Sequence, residues 1–176
     1  MYTRFKLVTG DGWILLDGIP QGQTQLAIID NHYINNSTSN ESSIGIWDHP
    51  IDIHYSTSTL TGWPQIIFTL WKQDSYQRNE IAGYGCLRIP TCPGIHTLEI
   101  PLWRPEGTWY QEWANLFLNG GIPYLTDTTC ITNPQGTTKH NSRHRLATVS
   151  AGMIMIELQV LCKGFMEHGV IMNHNE

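Results

Sequence analysis

The chain has 176 residues, the length of one domain of ordinary size or of one domain with a tail. Its hydrophobic residues make up 40% and its 16 glycines bring the apolar share to about half, which suits a packed core and excludes a disordered chain. Only 14% of residues are charged, and the formal charge of −5 excludes a global positive field, so nucleic acid is not an expected partner. With so little charge, much of the surface is suited to meeting another protein.

The dominant period is two. RFKLV, WILL and TQLAII near the start read as strands, followed by IDIHY, with Ile51, Ile53 and Tyr55 on one face and Asp52 and His54 on the other. In QIIFTLW, Ile66, Phe68 and Leu70 point one way and Ile67, Thr69 and Trp71 the other. YGCLRI, HTLEI and MIMIELQVL follow the same rule. Turn signals separate them: Thr9–Gly12, Asp17-Gly18, Pro20-Gln-Gly22, Gly62-Trp-Pro64, Pro93-Gly94 and Asn133–Gly136. About eight short strands at this spacing predict a single all-β domain over 1–176, an antiparallel sandwich or barrel. One segment departs from the period. WYQEWANLF places Trp109, Trp113, Leu116 and Phe117 at helical spacing, with Asn119-Gly-Gly121 as a stop, and predicts one short helix. Residues 30–43 are polar and Asn/Ser-rich and predict a flexible surface loop.

The longest apolar runs, such as Met153–Ile156, fall far short of the roughly 20 residues that span a bilayer. The N-terminus shows no signal-peptide core, so the sequons around Asn35, Asn36 and Asn40 read as accidents of composition. Cys86, Cys92, Cys130 and Cys162 lack C-x-x-C spacing, which points to reduced thiols rather than a zinc knuckle.

Chemistry finds little purchase. There is no G-x-S-x-G elbow, no Gly-rich phosphate loop and no H-E-x-x-H helix, and no cofactor is implied. His49, Asp52 and His54 in DHPIDIH form the best enzymatic constellation. Asp52 and His54 share a strand face, but His49 precedes Pro50 at the strand entry and a further ligand is missing, so a polar outer face is the preferred reading. The seven tryptophans, Trp13, Trp47, Trp63, Trp71, Trp103, Trp109 and Trp113, read first as core filler.

LWKQDSYQRNEIAGYG, residues 70–85, is laid out like the strand–loop–strand around the third calcium loop of C2 domains. Calcium demands six to eight oxygens, and the positions where that loop carries carboxylates hold Lys72, Asp74 and Glu80. An ammonium about 4 Å from the ion would repel it by about 8 kcal/mol at an effective dielectric of 20. The loop therefore reads as degenerate, with Asp74 capping the turn and Glu80 pairing with Lys72 or Arg78.

GQTQ (22–25), WDHPIDIHY (47–55), GWPQ (62–65), IPTCPGIHTLEIPLWRPEGTW (89–109), RHRLATVSAGMIMIEL (143–158) and FMEHGV (165–170), together with 70–85, resemble the B9 family across nearly the whole chain from Phe5. The resemblance implies a C2-like β-sandwich without enzymatic activity. It also implies a place at the cilium base, in the transition zone and basal body, on the cytoplasmic and cytoskeleton-associated side. Its partners would be two sibling B9 proteins, B9 domain-containing protein 1 and the Meckel-syndrome B9 protein, within the tectonic-like complex that supports cilium assembly and limits protein entry. Family members carry roughly twenty residues ahead of the segment matching 2–13, enough for a first strand and turn; without that strand a sheet edge is expected to be open. The loop before Trp47 is longer than in relatives.

Two surfaces follow as candidates for partners. One is the loop end carrying Trp63, Lys72, Asp74, Tyr76 and Arg78; the other comprises Trp103, Arg104, Trp109 and Trp113. Lys139, Arg143 and Arg145 are candidate contacts for the headgroups of an anionic membrane, the basis of an alternative reading as a calcium-independent phospholipid-binding module.

Overall fold

A computed structural model describes residues 1–28, 44–73, 77–106, 125 and 147–170. The period-two segments form strands: β1 (Tyr2–Val8), β2 (Trp13–Gly18), β3 (Gln21–Gln23), β4 (Ile53–Thr57), β5 (Gln65–Gln73), β6 (Asn79–Arg88), β7 (Gly94–Pro105) and β8 (Thr148–Val160). All pairing is antiparallel. One sheet has the order β3-β1-β5-β6-β7-β8, and β2 pairs with β4 in a second. The architecture is all-β, as an antiparallel sandwich requires, and a C2-like fold fits it. The helical segment expected at 109–117 and the loop at 30–43 fall outside the described residues; the described helical residues are one 3-10 turn, Met166–His168.

The two faces of β5 divide as its alternation predicts. Ile66, Phe68 and Leu70 join Phe5, Ile100, Leu102 and Ile154 in the main core, with Trp47 packed against it. Ile67 joins Tyr84 on the other face, with Val8, Ile81, Cys86, Trp103 and Leu125 around them. Two buried faces explain why QIIFTLW is apolar at nearly every position rather than at every second one.

β6 meets β7 through a single laddered pair, Tyr84 with Trp103. The absence of side chains at Gly83 and Gly85 lets the two strands approach closely beside that pair. A Cβ at Gly85 would lie 2.8 Å from Leu102 Cδ2 and 3.0 Å from Ile100 Cγ2; one at Gly83 would lie 2.9 Å from the Ala151 Cβ. Register shifts flank this contact, between Leu70 and Trp71 where β5 meets β6, and between Leu102 and Trp103 where β7 meets β8. The residues passed over are Ala82 and Ala151, so both bulges carry a small side chain beside Gly83.

Three expectations change near the N-terminus. The strand expected in TQLAII lies earlier, at Gln21–Gln23, and beyond it Thr24 bonds to Thr3 through both its amide and its hydroxyl, while Ala27 exchanges bonds with Met1. Gly22, expected in a turn, is a strand residue opposite Phe5, and its missing Cβ makes room for the Phe5 ring, whose Cζ would be 2.6 Å away. Among the described residues β1 has β3 on one side and β5 on the other, and the outer strands of this sheet are β3 and β8. IDIHY enters its strand at Ile53, two residues late, because pairing with β2 begins at Gly18 opposite Ile53.

Gly85→Val should lower stability by about 1–3 kcal/mol, because its methyls meet Leu102 and Ile100. A melting curve reads this as a fall of roughly 2–4 °C per kcal/mol. In a Leu102→Ala background the further penalty of Gly85→Val should shrink by more than half; an unchanged penalty would place the strain elsewhere.

Candidate functional site

The β5–β6 hairpin brings Lys72 opposite Glu80 and Gln73 opposite Asn79. Lys72 Nζ lies 3.2 Å from Glu80 Oε2, with the lysine side chain half exposed and the glutamate mostly covered. The cation thus occupies the place that the sequence comparison with calcium loops gives to a ligand, and it engages one of the carboxylates that a calcium ion would need. An exposed pair of this kind contributes at most about 1 kcal/mol, so its effect is on what the loop can bind more than on the stability of the fold. Asp74 and Tyr76 lie outside the described residues. Gln77, at the descending side of the loop, takes a left-handed backbone with φ 61°, which a tight reversal imposes.

Trp63 does not share that loop end. It precedes β5 at Gln65, whereas Lys72 lies at the far end of the strand. Trp63 packs edge-on against Trp13 with ring centroids 5.1 Å apart, and against Phe165 at 6.4 Å. Trp13 in turn meets Tyr55 at 6.3 Å and donates its indole N–H to the Thr61 carbonyl. The cluster fastens the β2–β4 sheet to the start of β5, beside the Gly10–Gly62 crossing, where the Gly10 amide donates to the Gly62 carbonyl at 2.8 Å. Its role is packing, which separates Trp63 from the surface patch to which the sequence assigned it. The Trp63 indole nitrogen is buried there with no hydrogen-bond partner among the described residues.

Trp103 is half-buried against Tyr84, with centroids 5.7 Å apart, and the Tyr84 hydroxyl accepts from the Leu125 amide. Arg104 follows it on β7, also half-buried. Trp109, Trp113, Lys139, Arg143 and Arg145 lie outside the described residues, as do Cys130 and the turn at 133–136. Arg78 is described and exposed.

The DHPIDIH constellation comes apart. His54 Nε2 and Asp52 Oδ1 are 3.3 Å apart on an exposed surface, while the His49 ring packs on Phe5 with centroids 5.7 Å apart. Among the described residues no three His, Cys, Asp or Glu side chains gather as metal ligands, and no helix is long and apolar enough to cross a membrane. Cys92 and Cys162 are free thiols, and burial pushes the Cys162 thiol above the usual cysteine range, which makes it less nucleophilic at neutral pH.

One surface went unnoticed in the sequence. Register places Arg4 and Lys6 of β1 on the same sheet face as Arg88 of β6, with Gln21 and Gln23 of β3 beside them and no acidic residue among these strand positions. Arg4 is held in place: its guanidinium lies 5.0 Å from the Trp71 ring centroid and 5.8 Å from that of Tyr2, and its Nε donates to Gln23 Oε1 at 2.9 Å. RFKLV already shows Arg4 and Lys6 on one face by alternation, but Arg88 joins them only once strand order is known.

The profile of the family described as "Ciliary basal body-associated, B9 protein", B9-C2, matches residues 1–161. The chain belongs to the B9 family. It is 38% identical to B9 domain-containing protein 2 of Xenopus laevis and 35% identical to that of Homo sapiens, in each case over 97% of this chain and 87% of the relative. B9 domain-containing protein 1 of Xenopus laevis is 25% identical over 96% of this chain and 78% of its own length. No solved structure matches the chain significantly. This is a B9-family ciliary protein with siblings inside the same family, and B9 proteins are not known as enzymes.

Calcium at about 1 mM should leave the melting temperature unchanged, since a bound ligand stabilises by RT ln(1 + [L]/Kd) and the Lys72 ammonium beside Glu80 keeps Kd far above that concentration. A calcium-dependent rise of several degrees would show that the hairpin binds the ion despite Lys72.

Proposed function

We propose that this chain is a non-enzymatic assembly subunit of the ciliary transition zone, working by protein–protein scaffolding within the tectonic-like B9 complex. There it supports cilium assembly and the barrier to protein passage into the cilium. The observation that carries the reading is family membership along residues 1–161, shared with B9 domain-containing protein 1 over nearly the whole chain. Its partners are the sibling B9 proteins, B9 domain-containing protein 1 and the Meckel-syndrome B9 protein. The surface supports this. Ile14 is 66% exposed, Leu16 66% and Ile19 72%, a run of aliphatic side chains along β2 and the turn after it that a lone domain would do better to cover. The work of such a subunit is binding energy and geometry, and Lys72, Arg78, Trp103 and Arg104 remain its candidate contacts, with Asp74, Tyr76, Trp109 and Trp113.

A second reading, a calcium-independent module for anionic phospholipid, is favoured by the face carrying Arg4, Lys6 and Arg88, which adds described cations to the candidates Lys139, Arg143 and Arg145. The two readings separate in solution. Co-expression with the two siblings followed by size-exclusion chromatography should give co-elution at fixed stoichiometry, and Ile14→Lys with Leu16→Lys should weaken it by about tenfold or more. If the chain elutes apart from both siblings yet sediments with phosphatidylserine vesicles, and Arg4→Glu with Lys6→Glu abolishes that sedimentation, the lipid reading replaces the scaffold.

A further inference from the structure

β8 ends the six-stranded sheet. One of its edges is taken by β7 from Gly94 to Pro105; the other has no hydrogen-bonded partner among the described residues. An open edge offers a row of backbone donors and acceptors, and proteins blunt it with short strands, lysine, proline or bulges. The opposite edge strand, β3, follows that rule at 3 residues. β8 does not. It runs for 13 residues, TVSAGMIMIELQV, with no Lys, Arg or Pro and a single ionisable side chain, Glu157. Its one irregularity lies near its start, opposite Leu102 and Trp103, so Gly152–Val160 is a regular ladder.

The side chains of that stretch are also unfinished. On the inner face Ile154 is 6% exposed, but Ile156 and Leu158 beside it are only half-buried. On the outer face Met153 and Met155 are 59% and 65% exposed.

We propose that β8 pairs antiparallel with β8 of a second copy of this chain, about a two-fold axis at Ile156, so that the two sheets become one. The strand's own pattern selects this occupant. With the axis at Ile156, Ile154 stands opposite the partner's Leu158, and the aliphatic row of the inner face continues across the seam. Glu157 stands opposite the partner's Met155, so the only charge on the strand never meets its own copy. Gly152 meets the partner's Val160, and the bulge lies just outside the pairing. A foreign strand chosen by charge would find one carboxylate on β8 to recognise.

Light scattering coupled to size-exclusion chromatography of the full chain, from about 1 to 200 µM, tests this. The molar mass should rise from the 20.0 kDa of the monomer towards twice that value. Met155→Glu sets a carboxylate opposite the partner's Glu157 at two symmetric places and should raise the dissociation constant about tenfold at low salt. Met155→Lys sets an ammonium there and should lower it, an advantage that added salt removes. Met155 is exposed, so both variants should keep the near-UV circular dichroism of the parent. A monomer throughout the range overturns the proposal, and so does a dimer that both variants leave unchanged or shift in the same direction.

Discussion

The close approach of Ile100 and Leu102 to Gly83 and Gly85 is the contact on which the six-stranded sheet depends. β6 and β7 pair in register at Tyr84 and Trp103, and this seam joins β3-β1-β5-β6 to the β7–β8 ribbon. Apolar contact joins them on both faces: Ile100 and Leu102 close on the backbone of Gly83 and Gly85 on one, and Trp103 packs on Tyr84 on the other. Ile100 and Leu102 are buried to 1% and 2% exposure, among the most enclosed side chains described. Ala82 and Ala151, passed over in the two neighbouring bulges, keep the same region narrow. Close packing here is thus a property of small residues on one strand and branched ones on the next, and a methyl group in the wrong place is felt by both halves of the sheet.

Charge is distributed as unevenly as size. The outer face over β1 and β6 carries Arg4, Lys6 and Arg88, while the outer positions of β7 and β8 carry Glu99 and Glu157 opposite Met155 and Thr97. With few charges in the chain, such separation gives each face a sign without a large net field. Arg4 shows how one of these charges is fixed: an aromatic pair and an amide hold the guanidinium, whose position then costs less entropy on meeting an anion than a free side chain would lose.

Much of the fold was legible in the sequence because alternation is a local signal. The two faces of QIIFTLW, the long strands around HTLEI and MIMIELQVL, and the pairing of Glu80 with Lys72 all follow from residues near one another in the chain. What could not be read locally was placement. Gly22 looks like a turn residue until Phe5, seventeen positions earlier, is seen to need its space. Trp63 looks like part of the loop end at Lys72 until the strand between them is laid out. His49 looks like a neighbour of Asp52 and His54 until its ring is found on Phe5. For Gly22 and His49 the ring of Phe5, distant in sequence, decided the outcome, and no periodicity reports that.

A site for chemistry needs titratable groups held together against their mutual repulsion and away from water. Among the described residues Glu80 pairs with Lys72, Asp52 with His54 at the surface, and His49 packs on Phe5. A binding subunit needs something else, namely apolar surface and backbone edges in excess of what its own core can use. Ile14, Leu16 and Ile19 on one side and the long unguarded strand β8 on the other supply both.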